Sequence, residues 1–226
     1  MVDTCRVNEP EFDSLVAIFI SVAVAMTAVA ILAFVIGWRV ESRRKERIRQ
    51  WAHHHGWIVT FSPIVDWATR LPKSRRRGVS LLVSGVVGGR PVAVAEYSYH
   101  VPDSDGQGTT YRYVVTAVRL PVSYQPIAVQ PRGVLSRVGL AMFGGGATTI
   151  GHAAFDRDFR VHTKNPALVR TLLGPTLIAE HVARRVPFWS LAGPDLLTWQ
   201  DGKIVDPSRI PATAANLVRV ADLLGR

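Results

Sequence analysis

Apolar and polar positions alternate along this chain in three regimes. Residues 14–38, SLVAIFISVAVAMTAVAILAFVIGW, carry no charge. The stretch RVESRRKERIRQWAHHH that follows lacks Pro and Gly and is rich in helix formers. From Trp57 onward apolar runs are short and are punctuated by Gly, Pro and Asp. As a helix the first regime spans roughly 36 Å, more than the roughly 30 Å hydrocarbon core of a bilayer. The pattern therefore predicts a transmembrane helix over 14–38, preceded by a tail at 1–13 and followed by a basic juxtamembrane helix over 39–56. Gly56 fits the position just past a helix end, where a left-handed conformation is wanted.

The third regime, 57–226, reads as one α+β domain. WIVTFS (57–62) predicts a strand, and PIVDWATRLP a short helical turn between two prolines. VSLLVSGVV and RPVAVAEYSYHV flank Gly88-Gly89, a hairpin signal between β-rich runs. YRYVVTAVRLP returns as a third strand, and PIAVQP (126–131) predicts a separate fourth. GVLSRVGLAMF predicts a short helix, and GGGATTIG a flexible loop. FRVHT predicts a strand, then Asn165-Pro166 supplies a helix start with Asn as cap and Pro in the first turn. The helical spacing of Leu168, Leu172, Leu173, Leu177 and Ile178 is interrupted at Gly174-Pro175. PFWSLAG and DLLTWQDG predict two short strands that pair with each other, and a closing amphipathic helix buries Ile210, Leu217, Val220, Leu223 and Leu224. No alternating βαβ units are visible, so an antiparallel sheet with packed helices is expected.

Charge adds an orientation. Before the apolar run stand Asp3, Glu9, Glu11 and Asp13 against Arg6; after it come Arg39, Arg43, Arg44, Lys45, Arg47 and Arg49 against Glu41 and Glu46. The positive-inside rule puts the basic end in the cytoplasm of a single-pass plasma-membrane protein with its N-terminus outside. These flanks also differ from those of a cleaved signal peptide. The net charge of +10 includes a contribution of −3 from the first 13 residues, leaving +13 beyond them. Anionic lipid headgroups account for such a surplus, at about 1 kcal/mol per Lys or Arg near the leaflet. Arg75, Arg76 and Arg77 in KSRRRG form a second basic cluster, a solvated loop that could join the headgroup contacts. Nucleic acid is the weaker partner for 70–77, where aromatic interleaving is sparse. Ser21 with Ala25, and Ala33 with Gly37, place small residues four apart, a spacing that permits close helix packing and a homodimer.

Candidate chemistry is thin. His53, His54 and His55 are consecutive, about 100° apart around a helix, so they cannot all face one metal; they suit the negative end of the helix dipole instead. His100, His152, His162 and His181 would have to be gathered by the fold to make a metal site. Asp156, Asp158 and His162 share one face if their segment is extended, with Phe155, Phe159 and Val161 on the other. That is the pattern of an amphipathic strand whose carboxylates pair with Arg157 and Arg160, and also of a site for acid–base or metal chemistry. Cys5 is the single cysteine, so no disulfide framework exists within the chain. No GxSxG, HExxH, Walker sequence or cysteine pair occurs. Trp38 stands at the end of the apolar run as an interfacial aromatic, Trp51, Trp57 and Trp67 follow it, and Trp57, Trp189 and Trp199 are expected in the core.

The order of parts resembles an uncharacterised family of actinobacterial single-pass membrane proteins with a cytosolic α+β domain. The resemblance rests on the apolar helix, the basic helix ending at Gly56-Trp57, FDRDFRV at 155–161, the helix carrying Leu172, Leu173, Pro175 and Leu177, and the late strand pair. It implies an actinobacterial membrane protein and no activity. The leading expectation is a membrane-anchored, non-catalytic cytosolic binding or scaffold module for an unidentified protein partner, without catalytic residues, metal or cofactor. The alternative is a membrane-tethered enzyme, such as a hydrolase, with its site around Asp156, Asp158 and His162.

Overall fold

A computed structural model describes residues 9–71, 78–103, 108–133 and 147–225, with side chains from residue 18 onward. The expected antiparallel α+β architecture is present. The chain divides into two units, 1–47 and 48–226.

The first unit belongs to one unbroken helix, α1 (Glu9–His54). An 18-residue window within its segment Ile18–His54 has mean hydropathy 2.7, and none of that window is buried. Among the described residues this is the one helix long and apolar enough to cross a membrane.

The second unit begins in the last turns of α1 and carries, among the described residues, seven strands: β1 (Ile58–Phe61), β2 (Val79–Val87), β3 (Arg90–Val101), β4 (Thr109–Pro131), β5 (Ala147–Thr148), β6 (Phe159–Thr163) and β7 (Trp189–Asp201). The hydrogen-bonded order is β1-β2-β3-β4-β6-β5, with β7 also on β4, and every pair is antiparallel. Among the described residues four α-helices join it: α2 (Ala153–Asp158), α3 (Pro166–Leu172), α4 (Pro175–Val182) and α5 (Ile210–Leu223). Gly88 and Gly89 turn β2 into β3 with φ of 57° and 75°, the left-handed pair that a two-residue hairpin requires.

Strand alternation divides the side chains between two cores. On one face Leu81, Val83, Val92, Val94, Val118 and Val129 meet the α5 residues Ala214 and Leu217, and Ile48 and Ala52 at the end of α1. On the other, Ala95, Tyr97, Tyr99, Val115, Leu197 and Trp199 are covered by Trp67 and Leu71, which come from the 3-10 turn Asp66–Arg70 and its exit. A register shift between Val79 and Leu81 puts Val79 in the second core and Leu81 in the first.

Several sequence expectations change here. YRYVVTAVRLP and PIAVQP form one 23-residue strand, β4, because its two halves pair with β3 and β6 on one flank while β7 follows the other. PFWSLAG and DLLTWQDG do not pair with each other. They form the single strand β7, bent at Gly193 (φ 61°), and both halves pair with β4. Residues 153–158 are helical rather than extended: His152 caps α2 by accepting from Phe155 N–H at 3.3 Å, and β6 starts only at Phe159. Within GGGATTIG, Ala147 and Thr148 pair with β6. The expected helix at 133–143 lies outside the described residues from position 134 on, and the KSRRRG cluster outside them at 73–77. Asn165 caps α3 as expected, accepting from Ala167 N–H at 3.2 Å.

Two polar contacts fasten the helical layer. Glu180 on α4 receives Arg185 at 2.9 and 3.0 Å and Arg219 of α5 at 2.9 Å, and these partners hold its carboxyl down at about 2. His181 is fully buried against Phe155 and Phe159 and accepts from Trp189 Nε1 at 2.9 Å. Burial lowers its pKa to about 4. Below pH 6.5 the unfolded chain therefore takes up a proton that the folded chain refuses until about pH 4. Stability should fall through that window by an amount on the order of 3 kcal/mol. The Glu180 contribution is lost lower, between 4.5 and about 2. Urea midpoints of wild type and His181→Gln against pH check this: the variant should lose the slope between pH 6.5 and 4, and an unchanged slope would remove His181 as its source.

Candidate binding cleft

Among the described residues, the face of the sheet opposite the helices is only partly covered. Across it runs a row of directly opposed residues, Ile58, Ser84, Ala93 and Ala117, contributed by β1, β2, β3 and β4. Small side chains in its middle leave a trough. Val86 and Pro91 oppose each other along one side, and Arg119 and Asp195 oppose each other at the β4–β7 end. Trp67 forms a wall, and the open space is about 630 Å³.

The sheet edge and the turn beside the trough are fixed by local backbone geometry, with Trp57 on the helix-covered face and Trp67 on the trough side. Gly56 leaves α1 with φ 70°, and Trp57 N–H returns to Ala52 O at 2.8 Å. This turn lays the Trp57 ring on Gly85 of β2, where a Cβ would stand 2.5 to 2.7 Å from ring carbons, so only glycine fits. The turn that carries Trp67 is tied to β7 by Arg70, whose guanidinium donates to Ala192 O at 2.8 Å and Asp195 O at 3.1 Å. Burial lowers the Arg70 pKa, and the Asp195 charge opposes that shift. The cleft offers apolar surface, the Trp67 indole, and Arg119 opposite Asp195. His55, at its edge, points Nδ1 at Trp51 O (2.8 Å) and stacks on the Trp51 ring. That arrangement suits contact with an apolar group.

The other sequence candidates are dispersed. His54 turns Nδ1 to Gln50 O at 2.7 Å, so His54 and His55 close the helix end. Among the described residues no three His, Cys, Asp or Glu side chains are grouped as metal ligands. Asp156 accepts from Ile150 N–H and Gly151 N–H at 3.0 and 2.9 Å, holding the turn before α2. Asp158 meets Arg157 at 3.2 Å and Arg184 at 3.9 Å, while His162 lies on β6 opposite Ala128 and Ala147. The helical turn at 153–158 thus removes the shared strand face on which Asp156, Asp158 and His162 were expected. Along α1, Arg39, Arg43, Arg47 and Arg49 are exposed, Arg44 bonds Glu41 at 2.6 Å, Lys45 lies 4.0 Å from Glu41, and Arg49 stands over the Phe61 ring. Arg75, Arg76 and Arg77 lie outside the described residues. Trp67, Trp189 and Trp199 are buried, and Trp57 is half-buried. Gly85 and Arg70 were missed by the sequence reading, because their contacts join positions far apart in the chain and leave no local pattern.

No protein-family model matches the chain, and no curated protein does. Among solved structures, the crystal structure of the mycobacterial trehalose monomycolate transport factor A, TtfA, is similar at a TM-score of 0.47 and 16% identity. The match covers 80% of this chain and 92% of that one.

The Trp57–Gly85 contact is testable. Gly85→Ala forces the indole off the strand and should destabilise the domain by about 1–3 kcal/mol. Urea unfolding followed by tryptophan emission reads both the loss and the displaced ring; wild-type values for both would show that the strand accommodates the methyl group.

Proposed function

We propose that this chain is a single-pass membrane protein whose folded unit is a non-catalytic binding module on the cytoplasmic side. The observation that carries the reading is α1: an exposed apolar window too long for an ordinary surface helix, with acidic residues before it and basic residues after it. An exposed helix of this composition is stable in a bilayer, where its backbone groups are satisfied internally. The basic residues Arg39, Arg43, Arg47 and Arg49 are exposed along α1, as headgroup contacts require. The half-open cleft at Trp57 and Trp67 supports a binding role. It offers an apolar surface for a partner protein.

Topology is the direct test, and the single cysteine makes it simple. A membrane-impermeant maleimide should label Cys5 in intact cells, while protease should reach residues 48–226 only after lysis. Protection of Cys5 with exposure of the C-terminal unit would overturn the orientation. Replacing Arg39, Arg43, Arg47 and Arg49 by Glu should give a mixed population in the same labelling assay, because the charge bias that sets orientation is removed.

A further inference from the structure

A second cleft, of about 390 Å³, opens where the end of β4, the end of α2 and the segment after α4 meet. Its floor is apolar, with Phe159, Val186 and Phe188, and its rim carries Arg132, Arg157 and Arg184 around Asp158. The rim is held by backbone. Arg132 N–H donates to Asp158 O at 2.8 Å, and its Nε reaches Phe159 O at 3.4 Å.

Arg184 is the telling residue. Helix α4 ends in a Schellman motif: Arg184 N–H donates to His181 O at 2.9 Å and Arg185 N–H to Glu180 O at 3.0 Å. This motif needs a left-handed residue at the position of Arg184, whose φ is 56°. Glycine takes that conformation without strain, and a bulky side chain does not. An arginine therefore stands where the backbone favours glycine, and its side chain extends, 80% exposed, to within 3.9 Å of Asp158 at the cleft.

Charge completes the case. Asp158 is approached by Arg157 and Arg184, both largely exposed, so these pairs are weak and exchangeable. Arg185 is committed to Glu180 and does not join them. Three guanidinium groups against one carboxylate leave an excess of two positive charges beside an apolar floor. We propose that this cleft binds a phosphate group carried on an apolar body, with Arg132, Arg157 and Arg184 as its ligands and Asp158 orienting them. Planar guanidinium forks match phosphate oxygens in paired hydrogen bonds. A lipid headgroup and a soluble phosphate ester present this same chemistry.

The experiment is a calorimetric titration of the full chain, in an uncharged detergent, with phenyl phosphate. Wild type should bind, and Arg184→Gly should weaken binding by about tenfold, the scale of one charge-assisted hydrogen bond. The same variant should keep or raise the thermal midpoint, because glycine suits the left-handed position. Arg157→Gln provides a second variant that leaves that backbone position unchanged, and it should also bind more weakly. Repeating the titration in micelles doped with phosphatidic acid separates the sources: loss of the phenyl phosphate signal supports a headgroup occupant, and a retained signal supports a soluble ester. Absence of binding by wild type, or equal binding by wild type and Arg184→Gly, would overturn the site.

Discussion

The folded unit depends on the register of β4. Its segment Tyr113–Val118 pairs with β3 on one flank and β7 on the other, and Ile127–Val129 pairs with both β6 and β7. Strand side chains alternate with a period of two, so a slip of one residue would exchange the faces of the whole strand. Val114, Val118 and Val129 would leave the helix-covered core, and Val115 and Ala117 would enter it. Both faces are buried along much of β4, which is why its sequence reads as a nearly continuous apolar run. The shifts in register between Arg119 and Ile127 let one strand bend and serve partners in two directions.

The two faces are then used differently. One is covered by helices, where Glu180 is paired by two arginines and Glu96 accepts from Ile204 N–H at 2.8 Å. The other is covered, among the described residues, mainly by a five-residue 3-10 turn and by the exit from it. Among the described residues the small-residue row at Ser84, Ala93 and Ala117 lies beneath open space. Among the described residues the apolar cleft is thus bounded by the turn that carries Trp67, while Trp57 packs on Gly85 on the helix-covered face.

The second cleft arises from helix termination. The final turn of α4 bonds Arg184 and Arg185 back to His181 and Glu180, and this single turn does three jobs. It ends the helix, pairs Arg185 with Glu180, and directs Arg184 toward Asp158. Asp158 is at the end of α2, so two short helices with no direct sequence relation meet there.

What could be read from the sequence follows from how local each signal is. The apolar run of α1, the Gly88-Gly89 hairpin, the Asn165-Pro166 start and the break at Gly174-Pro175 are written in consecutive residues, because each depends on backbone preference or short-range periodicity. Such signals fixed the α+β class and the helix that can enter a membrane. Strand length was misread at β4 and β7, since prolines at 121, 126 and 194 look like strand ends until pairing on both flanks is known. The conformation of 153–158 was misread because alternating Phe and Asp suit a strand as well as a capped helical turn, and only the His152 and Asp156 bonds decide. Both clefts were invisible in the sequence. Gly85 beneath Trp57 and Arg184 beside Asp158 are contacts between residues more than twenty positions apart, and only the folded chain brings them within a few ångström. The sequence by itself determined an apolar helix and an antiparallel domain through local periodicity. Tertiary structure decided which charges meet and where the sheet stays open, because those depend on register and packing that no local pattern encodes.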